Sequence, residues 1–188
     1  MPQVEHSTDF QLFPSRANQN LPIDSRMPNY RPNVAFILSN AAGEILVCER
    51  SDWAGCWQFA QGGVKSGEAF IDALYREVEE ELCLKRSDYQ VLSSRGPYRY
   101  LFVNGRKKEG FDGQEQYYFL GRLTNPDAQV RFDGESDEFR AARWIRPAAF
   151  DLNWVPEMKR EVYASVLRDF FSVELGGRVQ DGETQAVQ

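Results

Sequence analysis

Residues Gly62 to Leu84 read GGVKSGEAFIDALYREVEEELCL. A glycine-rich loop runs into a segment, Ala69–Leu82, that carries four glutamates and one aspartate in 14 residues. Ile71, Leu74 and Val78 recur at helical spacing, which predicts a helix with that face turned to a core. Residues three and four apart share a helix face, so Glu77, Glu80 and Glu81 crowd one edge. Like charges at that spacing destabilise a helix. A hard cation among them removes the conflict. Mg²⁺ suits such a set, because it takes oxygen ligands, keeps several waters and completes its shell with phosphate oxygens. A run of glutamates taken alone is more often a solvated acidic face, and Glu79 is expected to point to solvent.

The rest of the chain limits what that edge serves. At 188 residues, one domain of ordinary size is the default. Apolar residues make up 42% and aromatic residues 13%, ample for a core. Twenty-eight acids against 22 bases leave a net charge of −6. That balance does not fit a protein gripping a long nucleic-acid backbone, yet it allows contact with one nucleotide or an RNA end. Cys48, Cys56 and Cys83 form no CxxC pair, so neither a zinc site nor a disulfide framework is expected, and a reducing cytoplasm fits. No apolar run approaches the length of a membrane span, and no signal peptide is expected at the N-terminus. The one histidine is His6, in a polar N-terminal segment. A general base in the folded body is therefore expected to be a carboxylate.

Residues 1–28 show no sustained period and contain Pro14, Pro22 and Pro28, which predicts a flexible extension. Strands are expected at Asn33–Leu38 and Glu44–Arg50, joined as a hairpin, and a short one at Trp57–Gln61. Further strands are expected at Tyr89–Ser93, Tyr98–Val103, Gln116–Leu123 and Ala141–Ile145. The loop Asn104–Gln114 is rich in Gly, Lys and Asp and is expected to be mobile. A last helix starts at Pro156, where a missing N–H costs nothing. It carries Met158, Val162, Val166 and Phe170 as a stripe. Residues 176–188 are expected to be a disordered tail. Mixed strands with two helices predict a layered α/β sandwich.

The spacing around the acidic helix is specific. Gly62, five residues, Glu68, seven residues, then Arg76-Glu77-Val78, Glu80-Glu81 and Leu84 resembles the Nudix box of the Nudix hydrolases, G-x5-E-x7-R-E-U-x-E-E-x-G-U, with U aliphatic. Eight of the nine specified positions match. Cys83 stands where the family has glycine. A glycine after a helix usually supplies a left-handed cap, and a cysteine forced there costs about 1 kcal/mol. A different helix ending is expected. The resemblance implies an α/β/α sandwich with a mixed sheet, a domain over 29–175, phosphoanhydride hydrolysis, and Mg²⁺ with Mn²⁺ as a possible substitute.

Outside the box, YRPNV (30–34), WQFAQGG (57–63), GQEQ (113–116), Glu138-Phe139 with Trp144-Ile145, and MKREVY (158–163) are similar to one branch of that family. That branch acts on 5′-triphosphorylated RNA ends or on dinucleoside polyphosphates such as Ap4A. It implies removal of pyrophosphate from an RNA end, with Ap4A-type cleavage as the alternative and a non-catalytic nucleotide-binding module as a third reading. Glu77, Glu80 and Glu81 are the implied metal ligands. Glu138 is the implied base, with Glu81 as fallback, so Glu80, Glu81 and Glu138 are the catalytic candidates. Arg31, Arg50 and Lys159 are implied substrate contacts. Gly62, Gly63, Glu68 and Arg76 shape the loop and helix. Three departures stand out: Ala60 replaces a proline, Tyr117 a lysine, and Met158 an aromatic that stacks on a base in relatives. Tyr98, Tyr100 or Trp154 could supply the missing ring, whereas Tyr163 and Trp57 are expected in the core. No protein partner follows from the sequence.

Overall fold

The computed structural model describes residues 27–103, 107–134 and 136–175. The extension expected over 1–28, apart from its last two residues, lies outside the described residues. So do His6 and the tail expected over 176–188.

Seven strands and two helices follow one another as β1 (Tyr30–Ser39), β2 (Ile45–Arg50), β3 (Trp57–Gln58), β4 (Ala60–Gly63), α1 (Phe70–Leu82), β5 (Tyr89–Leu101), β6 (Gly113–Leu123), β7 (Phe139–Ile145) and α2 (Glu157–Phe171). All seven strands join one mixed sheet ordered β3-β2-β1-β6-β5, with β4 beside β1 and β7 beside β2. β1 and β6 run parallel from Tyr30↔Gly113 to Ser39↔Arg122. The other pairings are antiparallel.

β1 explains the layering. Its side chains alternate between faces, and both faces are apolar. Val34, Phe36 and Leu38 join the core under α1, with Leu74, Val78 and Leu82. Ala35 and Ile37 join the core under α2, with Val162, Tyr163 and Val166. A strand buried on both faces reads as an unbroken apolar run, which is how NVAFIL reads. The result is the expected α/β/α sandwich. Among the described residues no helix is long and apolar enough to cross a membrane.

Several local expectations are corrected. The hairpin of β1 and β2 closes through one pair only, Ser39↔Ile45, because β4 takes the place beside β1 from Asn33↔Gly63 to Phe36↔Ala60. Ala60, in place of the family proline, is a buried member of that ladder. The Trp57–Gln61 strand splits at Phe59, whose ring turns into the α2 core and stacks on Tyr163 at 5.2 Å. The two strands expected around Gly96-Pro97 are one, β5, which absorbs the interruption as bulges. In the described part of the loop 104–114, Lys108 and Phe111 exchange backbone hydrogen bonds of 3.1 and 3.0 Å across a tight turn, and β6 starts at Gly113.

The helix ending also differs from expectation. Cys83 adopts the left-handed conformation of the glycine it replaces, with φ 54°, and its N–H donates to the Glu79 carbonyl at 3.1 Å. A side chain at that φ is strained. Cys83→Gly is therefore expected to raise stability by about 0.5–1 kcal/mol, net of glycine's larger unfolded-state entropy. A shift of the urea midpoint at constant slope reads this directly.

Candidate active site

The register of β4 on β1 delivers the glycine loop to the acidic helix. Val34↔Gly62 and Asn33↔Gly63 pair, and the strand end meets α1 at its charged edge. The Glu77 carboxyl lies directly over Gly62, in the space a Cβ would fill. The Arg31 guanidinium lies over Gly63 in the same way. Two glycines thus let a carboxylate and a guanidinium approach the backbone closely. Gly62→Ala leaves a flexible side-chain tip to move aside, so the fold should survive while the Glu77 carboxyl is displaced. A displacement of that size costs about 100-fold in rate. Turnover should fall with the melting temperature nearly unchanged.

Arg76 organises the loop. Its guanidinium grips Glu68 through two bonds of 2.8 Å, donates to the Gly63 carbonyl at 2.9 Å, and meets Glu77 at 2.5 Å and Glu80 at 3.4 Å. Hydrogen bonding to Glu68, and then to Glu77, pushes the arginine pKa up, and the same bond holds Glu68 below its ordinary value. Lys65 N–H donates to Glu68 at 2.8 Å, which closes the loop on itself. Glu79 is exposed.

Glu81 is the unusual member. It is only 4% exposed, and its carboxyl accepts from the Gln61 N–H at 3.0 Å. Burial raises its pKa well above the usual carboxylate range, and the charges of Glu138 and Glu77 raise it further. Burial likewise raises that of Glu77, against the pull of Arg76.

Glu138 arrives from the far side of the sheet. The pairing Arg50↔Phe139 brings β7 to β2. Glu138 Oε1 accepts from Arg50 Nη1 at 2.9 Å and from Gln58 Nε2 at 3.3 Å. Arg50 is held on its other side by Asp52 through two bonds of 2.7 Å. Gln58 Oε1 accepts from Lys159 Nζ at 3.3 Å. Lys159 is 7% exposed, and burial pushes its pKa down to about 8, with help from the Arg50 charge.

These groups line one cleft of about 650 Å³. Glu77 and Glu138 stand on its wall, with Arg31, Arg50 and Lys159. Glu81 is buried behind them and Glu80 sits at the outer edge of the helix, so neither lines the cleft. Sequence reasoning did not single out Gln58, Asp52, Lys107, Lys108 or Trp53, which do line it. The Lys-Lys pair was a usable signal, and the others depend on strand register. Of the rings considered in place of a stacking aromatic, only Tyr100 reaches the cleft, and its hydroxyl is bound to Gln114. Tyr98 bonds Asp169 at 2.8 Å and Trp154 packs on Phe150. Tyr117 lies against Phe70, with ring centres 4.4 Å apart. Tyr163 is in the core as expected, and Trp57 is half-buried against Arg143.

Whether these residues fit a divalent cation turns on the donor chemistry. Among the described residues no three acidic, cysteine or histidine groups stand together so as to hold a metal ion. The ion pairs explain this, since Arg76 draws Glu77 and Glu80 while Arg50 draws Glu138. Mg²⁺ is ordinarily held by one or two carboxylates and substrate phosphates rather than an all-protein cage. A cation beside a buried carboxyl crowded by two other acids favours its charged form. The donor set fits.

The chain is similar to proteins of known family. The NUDIX domain profile matches residues 29–170. The RNA pyrophosphohydrolase of Pseudomonas fluorescens SBW25 is 40% identical over 146 residues, covering 74% of this chain and 91% of that protein. The RNA pyrophosphohydrolase of Pseudomonas putida GB-1 is 39% identical over the same lengths. In fold, the chain resembles the E. coli dihydroneopterin triphosphate pyrophosphohydrolase, with a TM-score of 0.58 at 18% identity over 76% of this chain and 97% of that one. It also resembles a C. elegans Ap4A hydrolase, with a TM-score of 0.53 at 22% identity over 76% and 96%. A domain match from the first residues of β1 to the end of α2, with relatives aligned over nearly their whole length, makes this chain a member of the NUDIX domain family of hydrolases.

Proposed function

We propose that this protein removes pyrophosphate from 5′-triphosphorylated RNA ends in a Mg²⁺-dependent reaction, with Mn²⁺ as a substitute. The observation that carries the reading is a cleft lined both by the carboxylates of Glu77 and Glu138 and by Arg31, Lys107 and Lys108. The chain's 40% identity to RNA pyrophosphohydrolases supports the choice of substrate.

Glu77, Glu80 and Glu81 would hold the cation, which supplies charge neutralisation for the polyphosphate and a more acidic water. Glu138 takes the proton of the attacking water as a phosphoanhydride bond breaks. Pyrophosphate leaves and a monophosphorylated end remains. Arg31 now pairs with Glu109 at 3.3 Å and exchanges that partner for a phosphate oxygen. Arg50 and Lys159 meet the nucleoside side. Gly62, Gly63, Glu68 and Arg76 keep the loop and helix in register. Three free thiols, Cys48, Cys56 and Cys83, suit the cytoplasm.

A dinucleoside polyphosphate presents the same bond to the same groups. A side-by-side assay with triphosphorylated RNA and Ap4A, scoring pyrophosphate against ATP release, separates the two. Efficient turnover of Ap4A alone would refute the RNA assignment.

A further inference from the structure

Large apolar side chains that stand exposed among the described residues are Met27, Trp53, Leu92, Leu101 and Val103. Trp53 and Val103 are the two that line the active-site cleft. A single exposed tryptophan on an open surface calls for no explanation. One at the rim of a cation-lined cleft does.

The turn that carries Trp53 is pinned. Arg50 N–H donates to the Cys56 carbonyl at 3.0 Å, and Cys56 N–H donates to the Trp53 carbonyl at 3.1 Å. Gly55, at φ 79°, donates its N–H to Glu49 Oε1 at 2.7 Å. The neighbouring Asp52 is tied to Arg50. The indole is therefore presented on a fixed backbone while remaining 55% exposed. A turn whose backbone is already held loses little conformational entropy on binding.

We propose that Trp53 is a nucleobase-stacking residue of this cleft. The inference rests on the function proposed above. Its physical basis is complementarity: the substrate class is a polyanion attached to flat rings, and the cleft is lined by cations and by the exposed indole of Trp53, with Phe102 half-buried and Tyr100 buried. Base–aromatic stacking tolerates any base, because every base has a π-face.

The test compares the full-length wild type with Trp53→Ala and Trp53→Phe. The readouts are kcat and KM on a triphosphorylated oligonucleotide, and the inhibition constant of inorganic tripolyphosphate, which has no base. Trp53→Ala is expected to raise KM at least about fivefold, the lower end for loss of one stacked base. Its kcat should stay within about twofold of wild type, and tripolyphosphate should inhibit as before. Trp53→Phe should restore most of the KM. An unchanged KM in Trp53→Ala overturns the inference and leaves the enzyme assignment standing. So does a parallel loss of tripolyphosphate inhibition, which would mean that the turn only shapes the phosphate end. A phenylalanine variant as impaired as the alanine one also overturns it. A wild type inactive on both triphosphorylated RNA and Ap4A removes the assignment and this inference together.

Discussion

Glu80→Gln is expected to reduce turnover by roughly 100- to 1,000-fold, the scale seen when one charge-stabilising group is removed from a preorganised site. Glu80 lies at the outer edge of α1, half-buried, and its one polar contact among the described residues is Arg76 at 3.4 Å. Nothing in the packing depends on its charge. The amide is nearly isosteric, so the melting temperature should hardly move. A steady-state assay with a thermal melt on the same preparation reads both quantities. A variant that melts normally and turns over normally would remove Glu80 from the metal site.

Glu81→Gln should also abolish turnover, yet its effect on stability has the opposite sign from most losses of a buried polar group. The folded pKa of Glu81 lies above the ordinary value of 4.5. The folded protein therefore binds more protons than the unfolded chain between those two values. Stability is fully present below the ordinary carboxylate pKa and is lost as pH rises through the raised one. Near neutral pH, wild type without a cation carries that penalty. A glutamine imitates the protonated acid: its Oε1 can accept from the Gln61 N–H and its amide can donate to Glu138. Thermal melts in chelator from pH 5 to 8 should show wild type losing stability with rising pH. Glu81→Gln should be flatter and more stable at the upper end. Adding Mn²⁺ should stabilise wild type by mass action and leave the variant unmoved. A variant less stable than wild type at pH 8 in chelator would contradict this electrostatic picture of the site.

The fold was legible where the pattern is local. Apolar spacing located α1 to within one residue at its start, and the stripe through Val162 and Val166 located α2. NVAFIL announced a doubly buried strand. What could not be read depends on pairing between distant segments. Gly96-Pro97 marks a strand end in most contexts, but β6 runs past it and holds both halves in one ladder. At the break in that strand Phe59 meets Tyr163 on the last helix, stacking on its ring and donating its N–H to the tyrosine hydroxyl at 3.2 Å. The site divides the same way. The box placed its own acids, whose spacing along one helix is fixed. Burial of Glu81 requires the Gln61 N–H, carried in by β4 on β1. The seat of Glu138 beside Arg50 and Gln58 requires the β2–β7 register. Asp52 and Trp53, ten and nine residues before Gly62, matter only because their turn lines the cleft.

In the proposed reaction, carboxylates at one edge of α1 collect divalent ions for a polyphosphate. Anomalous diffraction from crystals soaked in Mn²⁺ and a non-hydrolysable nucleoside triphosphate tests this most directly. A manganese peak is expected, bounded by the carboxylates of Glu77, Glu80 and Glu81 and touching the phosphates. Phosphates bound in the cleft with manganese absent from that edge, or held by other residues, would contradict it.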